Sequence, residues 1–293
     1  MPRDYAFCHD WHPLVTSSNS KGLSIPDREV PDMLTRGLRL LGQLAAYPDG
    51  EGVTKLAQDT ELPLSTAHRL LAVLAAEGLV TFDRRSKRYA IGLRVLELAH
   101  NLTQTQSAYR LAREPMERLA NQTNLAVIAA VLEGGFAVLV LSVEGQLHLQ
   151  VRSSIGTRNR WYSSAVGKVL VAYADRPTQT RLLREPMAPV TDRTITDRGV
   201  LKSELVAVRH QGWAEAYGEN EVGVHAVAVP VLHPDTGISL CAVSLAATTV
   251  LTPRHELHGY IQPLTDTAKE IGLRLAAANA DFFRTSSLGP LEV

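Results

Sequence analysis

Cysteine is scarce in this sequence: Cys8 and Cys241 are the only two among 293 residues. Two distant cysteines argue against a disulfide framework and fit a reducing compartment. The formal net charge is zero, so nucleic-acid binding would need local clusters of Lys and Arg rather than a global basic field. No window approaches the roughly 18 apolar residues of a membrane span, and the first thirty residues lack the apolar stretch of a signal peptide. We therefore predict a cytoplasmic protein with no membrane partner.

The chain is long enough for two domains, and its pattern changes along its length. Residues 1–31 mix Pro, Ser, Asn and charges without periodicity, and we predict a flexible extension there and a flexible tail at 285–293. Between these ends the pattern predicts a small helical domain over 32–92, a linker helix over 93–105 and a larger domain over 106–284.

Three short helices and a hairpin are predicted in the first domain. The apolar residues expected to form the core stripe of the first helix are Leu34, Leu38, Leu41 and Ala45. Pro63 opens the third helix, over 64–77, and Gly78 ends it. The apolar stripe of this third helix consists of Ala67, Leu70, Leu71 and Leu74. Strands at 79–82 and 88–91 then flank a charged turn. This order is that of a winged helix-turn-helix, which lays one helix in the major groove of DNA.

The charges of this domain favour DNA binding. Between residues 62 and 94, six basic residues face two acidic ones, a local excess of four positive charges. The cations in or beside the hairpin tip, expected to meet phosphates without reading sequence, are Arg84, Arg85, Lys87 and Arg88. The side chains expected to reach base edges from the start of the third helix are Ser65, Thr66, His68 and Arg69. Arg69 is suited to bidentate pairing with a guanine.

The second domain has the pattern of an α+β fold with a central antiparallel sheet. Short apolar runs that predict strands lie at 125–132, 136–143, 147–151, 213–217, 224–232 and 238–247. Helical periodicity is found at 165–174 and 197–210, and Thr252 with Pro253 begins an amphipathic helix that continues to about residue 283.

The sequence resembles the IclR family of bacterial transcription regulators over nearly all of residues 33 to 283. The matching pieces are LTRGLRLLGQLA, LPLSTAHRLLAVLAAEGLV, RYAIGLRVLELA, SSAVGKVLVAY, the segment from Thr194 to Gly212, and GVHAVAVPV. The resemblance implies a winged helix-turn-helix, a linker helix and a GAF-like effector domain. It also implies homodimers, which can assemble into tetramers, and a small organic effector.

The resemblance also implies positions for the effector site. Carried over residue by residue, these positions are His148, Val151, Ala165, Val166, Ala216, Glu219, Ala226, Ser244 and Ala246. Glyoxylate- and allantoin-type members are similar to one another in placing an acidic residue, a cysteine and two serines where this chain has Ala216, Ala226, Ser244 and Ala246. Because alanine cannot orient a small carboxylate, we expect a larger or less polar effector than glyoxylate, or a weakened response.

Four further residues are interpreted as follows, the first three of them at positions that match the family. Glu219 is either a ligand contact or a carboxylate that caps a loop. Gly167 is expected to allow close backbone approach at a helix start, and Lys168 is either exposed or part of a structural ion pair. Cys241 lies in an apolar strand and is interpreted as a core residue.

An enzyme and a metal sensor are the two alternatives to a regulator. An enzyme could use His225, Cys241 and Glu219, but no motif joins them into a catalytic set. A metal sensor would need compact ligand spacing, which only His255 and His258 show, one helical turn apart; Cys8, His9 and His12 lack a nearby fourth ligand. We predict no catalytic residue, no metal site and no cofactor.

The function predicted from sequence is that of a sequence-specific regulator, a repressor rather than an activator. Its partners would be a double-stranded DNA operator, a small-molecule effector and a second copy of the chain. Effector binding in the second domain would favour one arrangement of the linker helices and so change the fit of a dimer to a pseudo-palindromic operator.

Overall fold

The computed structural model describes residues 32–105, 107–146, 151 and 154–280. These residues form two compact units, the first ending at Leu102 and the second beginning at Thr103. The extension and tail predicted at 1–31 and 285–293 lie outside the described residues. Within the described part of the chain, no helix combines the length and apolar character needed to cross a bilayer.

The first unit consists of a helical bundle with a two-stranded hairpin. Its elements are α1 (Met33–Leu44), α2 (Val53–Asp59), α3 (Leu64–Ala76), β1 (Val80–Asp83), β2 (Arg88–Ile91) and α4 (Leu93–Thr105), which continues into the second unit. The two strands pair antiparallel, with Asp83 opposite Arg88 at the turn. This is the winged helix-turn-helix order that the sequence predicts.

The predicted apolar stripe of α3 is confirmed, and that of α1 is corrected. All four predicted residues of α3 are buried: Ala67, Leu70, Leu71 and Leu74. In α1 the buried residues are instead Gly37, Leu40 and Leu44, while Leu34 and Leu38 are 70% and 51% exposed. Helix α1 is apolar on two faces, and periodicity alone does not show which of two apolar faces packs on α3.

The hairpin is attached to the loop between α1 and α2. Glu51 and Tyr89 exchange two backbone hydrogen bonds of 2.8 and 2.9 Å, and the Tyr89 ring is buried. Gly50 has a φ of +72°, and a Cβ atom there would lie 2.5 Å from the carbonyl oxygen of Tyr89. Only glycine fits at this position, so the wing is fixed to the bundle by backbone contacts.

The second unit is an α+β domain with a six-stranded antiparallel sheet, as the sequence predicts. Its elements are α5 (Ser107–Thr123), β3 (Ala126–Glu133), β4 (Phe136–Val143), β5 (Arg158–Arg160), α6 (Ala165–Tyr173), α7 (Arg176–Arg184), α8 (Arg198–Gln211), β6 (Ala214–Tyr217), β7 (Val224–Leu232), β8 (Ser239–Thr248), α9 (Arg254–Gly259) and α10 (Ile261–Ala277). The strand order is β5-β4-β3-β8-β7-β6.

Helices cover both faces of this sheet. One face packs on α5 and α10, where Met116, Leu245 and Ile271 are buried. The other face packs on α6 and α8, where Val169, Leu201 and Ala242 are buried. Because side chains alternate along each strand, neighbouring residues of β6, β7 and β8 lie on opposite faces.

The secondary structure of this unit differs in part from the predicted pattern. The apolar run at 147–151 lies mostly outside the described residues, whereas β5 and α7 are elements without a sequence prediction. The single C-terminal helix predicted to about residue 283 is divided at Tyr260. Pro263 accounts for the break, because proline has no N–H and its ring clashes with the carbonyl group four residues earlier, at Gly259.

Candidate functional site

The exposed face of α3 presents the polar side chains that the sequence singles out. Ser65, His68 and Arg69 are exposed and Thr66 is half-buried. They occupy the first two turns of α3, opposite the buried leucines. The Arg69 guanidinium makes one weak contact, 3.8 Å from the sulfur of Met33. These donors and acceptors are therefore available to a ligand outside the unit.

The hairpin turn is shaped by Asp83. Its carboxylate accepts hydrogen bonds from the backbone N–H of Arg85 at 2.9 Å and the hydroxyl of Ser86 at 2.5 Å. These bonds hold the pKa of Asp83 below its ordinary value. Lys87 takes the left-handed conformation, with a φ of +57°. As a result Arg84, Arg85 and Lys87 are all exposed at the tip, where phosphate contacts are made without base readout.

Arg88 differs from the other three cations of the hairpin. Its Nη1 atom donates to the carbonyl oxygen of Gly50 at 3.0 Å. The side chain therefore joins the base of the wing to the loop that carries Gly50. Arg88 is nevertheless exposed, as the other three cations are.

A second candidate site is a cavity of about 130 Å³ in the second unit. Residues from strands, loops and the start of α6 line it: Ile128, Leu139, Val151, Thr157, Asn159, Ser164, Ala165, Val166, Ala216, Asn220, Glu221, Val224, Ala226, Ser244 and Ala246. A cavity of about 150 Å³ holds a benzene molecule. The space therefore suits a ligand of about one ring.

The floor of this cavity is made by a row of alanines across the sheet. Ala226 pairs with Ala216 on one side and with Ala246 on the other. Methyl side chains at one level of three adjacent strands leave open space above the sheet. These three alanines stand where the glyoxylate- and allantoin-type members of the family have polar residues, and in the fold they are neighbours.

In contrast to the apolar floor, the wall of the cavity contains polar groups. Asn220 accepts from the hydroxyl of Ser163 at 2.9 Å, and its amide lies 3.4 Å from the side-chain oxygen of Asn159. Ser164 caps α6 by accepting from the N–H of Gly167 at 3.2 Å. The first amides of a helix have no partner inside it, so those of Ala165 and Val166 can bind an anion. The wall can orient a polar ligand.

Gly167 permits the close approach predicted for it. A Cβ atom at this position would lie 2.4 Å from the carbonyl oxygen of Trp161. Trp161 is 2% exposed, and its backbone precedes the cap of α6. The start of α6 can therefore lie against this segment only with glycine at position 167.

Lys168 is fully buried and joins α6 to α8 and β6. Its Nζ atom donates to Glu219 at 2.7 Å, to Glu204 at 2.8 Å and to the carbonyl oxygen of Glu215 at 3.1 Å. Burial raises the pKa of Glu219, and the Lys168 charge offsets this only in part. The sequence left Lys168 open between an exposed residue and an ion-pair partner, and the structure shows the ion pair.

The predicted effector residues fall into three groups. Seven of them line the cavity: Val151, Ala165, Val166, Ala216, Ala226, Ser244 and Ala246. Glu219 is absent from the lining, because Lys168 engages its carboxylate, whereas the next two residues, Asn220 and Glu221, do line the cavity. His148 lies outside the described residues.

Sequence reasoning missed most of the polar wall. Thr157, Asn159, Asn220 and Glu221 come from loops and from the short strand β5. Loops carry no periodic signal that could mark them. The one sequence feature that pointed toward this wall was Glu219, which is followed directly by the lining residues Asn220 and Glu221.

The three candidate catalytic residues, His225, Cys241 and Glu219, lie in separate environments. Cys241 is buried in β8, and burial raises the pKa of its thiol. Glu219 binds Lys168, and the Nε2 atom of His225 lies 2.7 Å from Glu215. These contacts do not assemble a nucleophile, a base and an orienting group.

A winged helix-turn-helix joined to an α+β domain with a ligand-sized cavity is the organisation of a ligand-responsive DNA-binding protein. The profile of the IclR helix-turn-helix domain matches residues 33–84, and that of the bacterial transcriptional regulator IclR C-terminal domain matches residues 100–273. The chain belongs to the IclR family of transcriptional regulators.

This chain is similar to curated relatives and to solved structures over most of their length. The regulator KdgR of Escherichia coli (strain K12) is 29% identical over 248 residues, 84% of this chain and 94% of KdgR. The regulator XynR of the same organism is 29% identical over 244 residues, 83% of this chain and 95% of XynR. Both relatives are named as transcriptional regulators.

Among solved structures, a transcriptional regulator from Rhodococcus sp. RHA1 has a TM-score of 0.72 at 28% identity, covering 84% of this chain and 99% of that one. An IclR homologue from Microbacterium hydrocarbonoxydans, complexed with 4-hydroxybenzoate, has a TM-score of 0.71 at 24% identity. It covers 84% of this chain and 100% of that one.

Proposed function

We propose that this protein is a sequence-specific repressor whose operator affinity is controlled by a small organic acid of about one ring. The observation that carries the proposal is the pairing of two features in one chain. The first unit has an exposed polar helix face beside a basic turn, and the second has a cavity of about 130 Å³. Relatives named as repressors, YiaJ and AllR of Escherichia coli (strain K12), support the sign of regulation.

The effector class follows from the cavity. The start of α6 offers unpaired amides to a carboxylate, and the alanine floor accepts the flat face of a ring. Asn220 and Glu221 can accept hydrogen bonds from a hydroxyl group. Glyoxylate is too small to contact both the floor and this wall, so we expect it to bind weakly.

The proposal is tested by gel-shift titration against the DNA upstream of the protein's own gene and its neighbours, at fixed salt and competitor concentrations. Benzoate, 4-hydroxybenzoate and glyoxylate are then added in turn. We expect specific retention that a ring acid changes at least fivefold and glyoxylate does not, on the order of a typical allosteric coupling. Tight glyoxylate binding by calorimetry would contradict the effector class.

Base reading and phosphate binding can be separated by two substitutions. Arg69→Ala should reduce the preference for operator over competitor DNA by about 1–3 kcal/mol, because it removes a base-edge donor on α3. Arg85→Ala should weaken binding to all DNA and lower the slope of log K against log salt by about one, because it removes one phosphate contact.

Both variants are measured on operator and competitor DNA over a series of salt concentrations. If Arg69→Ala keeps the full preference for the operator, the assignment of α3 as the reading helix is wrong. Arg88→Ala is a useful comparison, since its guanidinium binds Gly50 and its loss should instead lower the stability of the wing.

We also propose that the protein is a homodimer that uses the exposed apolar face of α1. Leu34 and Leu38 lie one helical turn apart, and both are more than half exposed. Exposed apolar patches of this kind mark association sites. A symmetric pair of reading helices would match a pseudo-palindromic operator.

Leu38→Glu should convert the dimer to a monomer and weaken operator binding more than about tenfold, because a charge is costly in an apolar interface. Mass is measured by light scattering after gel filtration. Val206→Glu is the matched control, since Val206 is 66% exposed in the second unit. An unchanged mass for Leu38→Glu would place the interface elsewhere.

A further inference from the structure

Three potential metal ligands meet at the edge of the sheet, on the face opposite the cavity. Glu215 of β6, His225 of β7 and His258 of α9 place one ligand atom each within 4.8 Å of the others. The Nε2 atoms of His225 and His258 lie 2.7 and 2.9 Å from the same oxygen, Oε1 of Glu215. Among the described residues, this is the one group of three such side chains that is close enough to share an ion.

Each of these two contacts needs a hydrogen atom or a cation between the imidazole nitrogen and the carboxylate oxygen. A carboxylate oxygen only accepts hydrogen bonds, so each imidazole must bring either a proton or a shared cation to it. Besides the two imidazoles, the Arg254 guanidinium also donates to Glu215, with its Nε atom 2.7 Å from Oε1. The carboxylate therefore faces three nitrogen donors and offers oxygen atoms that can also bind a metal ion.

The protein holds the two imidazoles in place. The ring of His225 is fully buried and packs edge-on to Tyr217, with centroids 5.0 Å apart. The ring of His258 packs against Trp213 at 5.2 Å, and about a third of its side chain is exposed, which leaves a path from solvent. The Nδ1 atom of His225 has no hydrogen-bond partner among the described residues, so a change of tautomer loses no bond there.

We propose that Glu215, His225 and His258 form a binding site for a divalent transition-metal ion, with Zn²⁺ as the best match. Two imidazoles and one carboxylate are a common ligand set for zinc with an open coordination position. The ion takes the place of the Nε2 protons: each ring stays a neutral imidazole with its proton on Nδ1, and a ring that was an imidazolium releases one proton to solvent on binding. The site joins β6 and β7 to α9 and is distinct from the effector cavity.

Substitution of Arg254 is expected to change metal affinity in the direction opposite to substitution of a ligand. Its guanidinium pairs with both oxygens of Glu215, the Nε contact with Oε1 being 2.7 Å, and 60% of its side chain is exposed. A metal ion and this guanidinium compete for one carboxylate. Arg254→Ala should therefore tighten metal binding, whereas a purely hydrogen-bonded cluster would gain no affinity for metal from the same change.

The test uses the full chain after treatment with EDTA, titrated with Zn²⁺ by calorimetry and with Co²⁺ by visible absorption. We expect one ion per chain and coordinated Co²⁺ bands. His258→Ala and Glu215→Gln should weaken binding at least about tenfold, because each removes a direct ligand. Arg254→Ala should tighten it, and His255→Ala, an exposed neighbour on α9, should leave it unchanged.

Ions bound elsewhere are identified by a second comparison. The sequence also contains Cys8, His9 and His12, and a variant with alanine at these three positions should keep the Zn²⁺ affinity. Absence of stoichiometric binding, or binding that is unchanged by both His258→Ala and Glu215→Gln, would overturn the proposal. Loss of folding is monitored by circular dichroism, and Arg254→Ala provides the result that misfolding cannot imitate.

Discussion

Lys168→Met should destabilise the second unit by about 3–5 kcal/mol, because it leaves the buried Glu219 carboxylate and the partly exposed Glu204 carboxylate without their cation. Lys168 has no exposed side-chain surface, and its ammonium binds Glu204, Glu219 and the backbone of β6. Methionine keeps most of the volume, so the loss reports charge rather than packing. Chemical denaturation followed by the fluorescence of Trp161 and Trp213 measures the change.

The pH dependence of this loss identifies its cause. Without Lys168, the pKa of Glu219 should rise further above its ordinary value of 4.5. The folded variant would then hold a proton that the unfolded chain releases, so its stability should fall as the pH is raised from about 5 to 8. The loss relative to wild type should accordingly be larger at pH 8 than at pH 5.

Two further variants complete this test. Adding Glu219→Gln to Lys168→Met should restore part of the stability, because it removes one of the unpaired carboxylates. Lys202→Met, at an exposed position on α8, should change stability by less than about 0.5 kcal/mol. A pH-independent loss in Lys168→Met would show that packing, and not charge, is responsible.

Ala226→Leu should abolish the effector response and leave operator binding within about twofold of wild type. Ala226 lies at the centre of the alanine floor, between Ala216 and Ala246. Three added carbon atoms would occupy the space that a ring requires, and a ligand that cannot enter loses its binding free energy. We expect at least a hundredfold loss of affinity for the acid that shifts the wild-type protein.

The same substitution two residues away provides the control. Ala228 is on the same face of β7 but fully buried in the core, outside the cavity lining. Ala228→Leu should destabilise the unit by about 1–3 kcal/mol through overpacking, whereas Ala226→Leu should cost less because open space is there to fill. If Ala226→Leu still responds to the effector with full affinity, the cavity is not the effector site.

Much of the first unit follows from the sequence because its contacts are local. The stripe of Ala67, Leu70, Leu71 and Leu74 packs as its helical spacing predicts. The hairpin of β1 and β2 is similarly local, since one short turn joins its strands. In both cases a single period or turn decides which side chains point inward.

The buried face of α1 and the role of Arg88 are decided by tertiary contacts. Leu38 and Leu40 are equally apolar, and only packing against α3 buries one and exposes the other. Arg88 is predicted as a hairpin cation, and only the tertiary structure adds its hydrogen bond to Gly50, which is 38 residues earlier.

The sequence by itself determined the family, the two-domain order, the helix-turn-helix and the alanines that line the cavity floor. Only the tertiary structure decided the polar wall of the cavity, the burial of Lys168 and the meeting of Glu215 with His225 and His258. The physical reason is that sequence patterns report periodicity within one element. A site whose members come from separate strands, helices and loops exists only once the sheet has paired and the helices have packed on it.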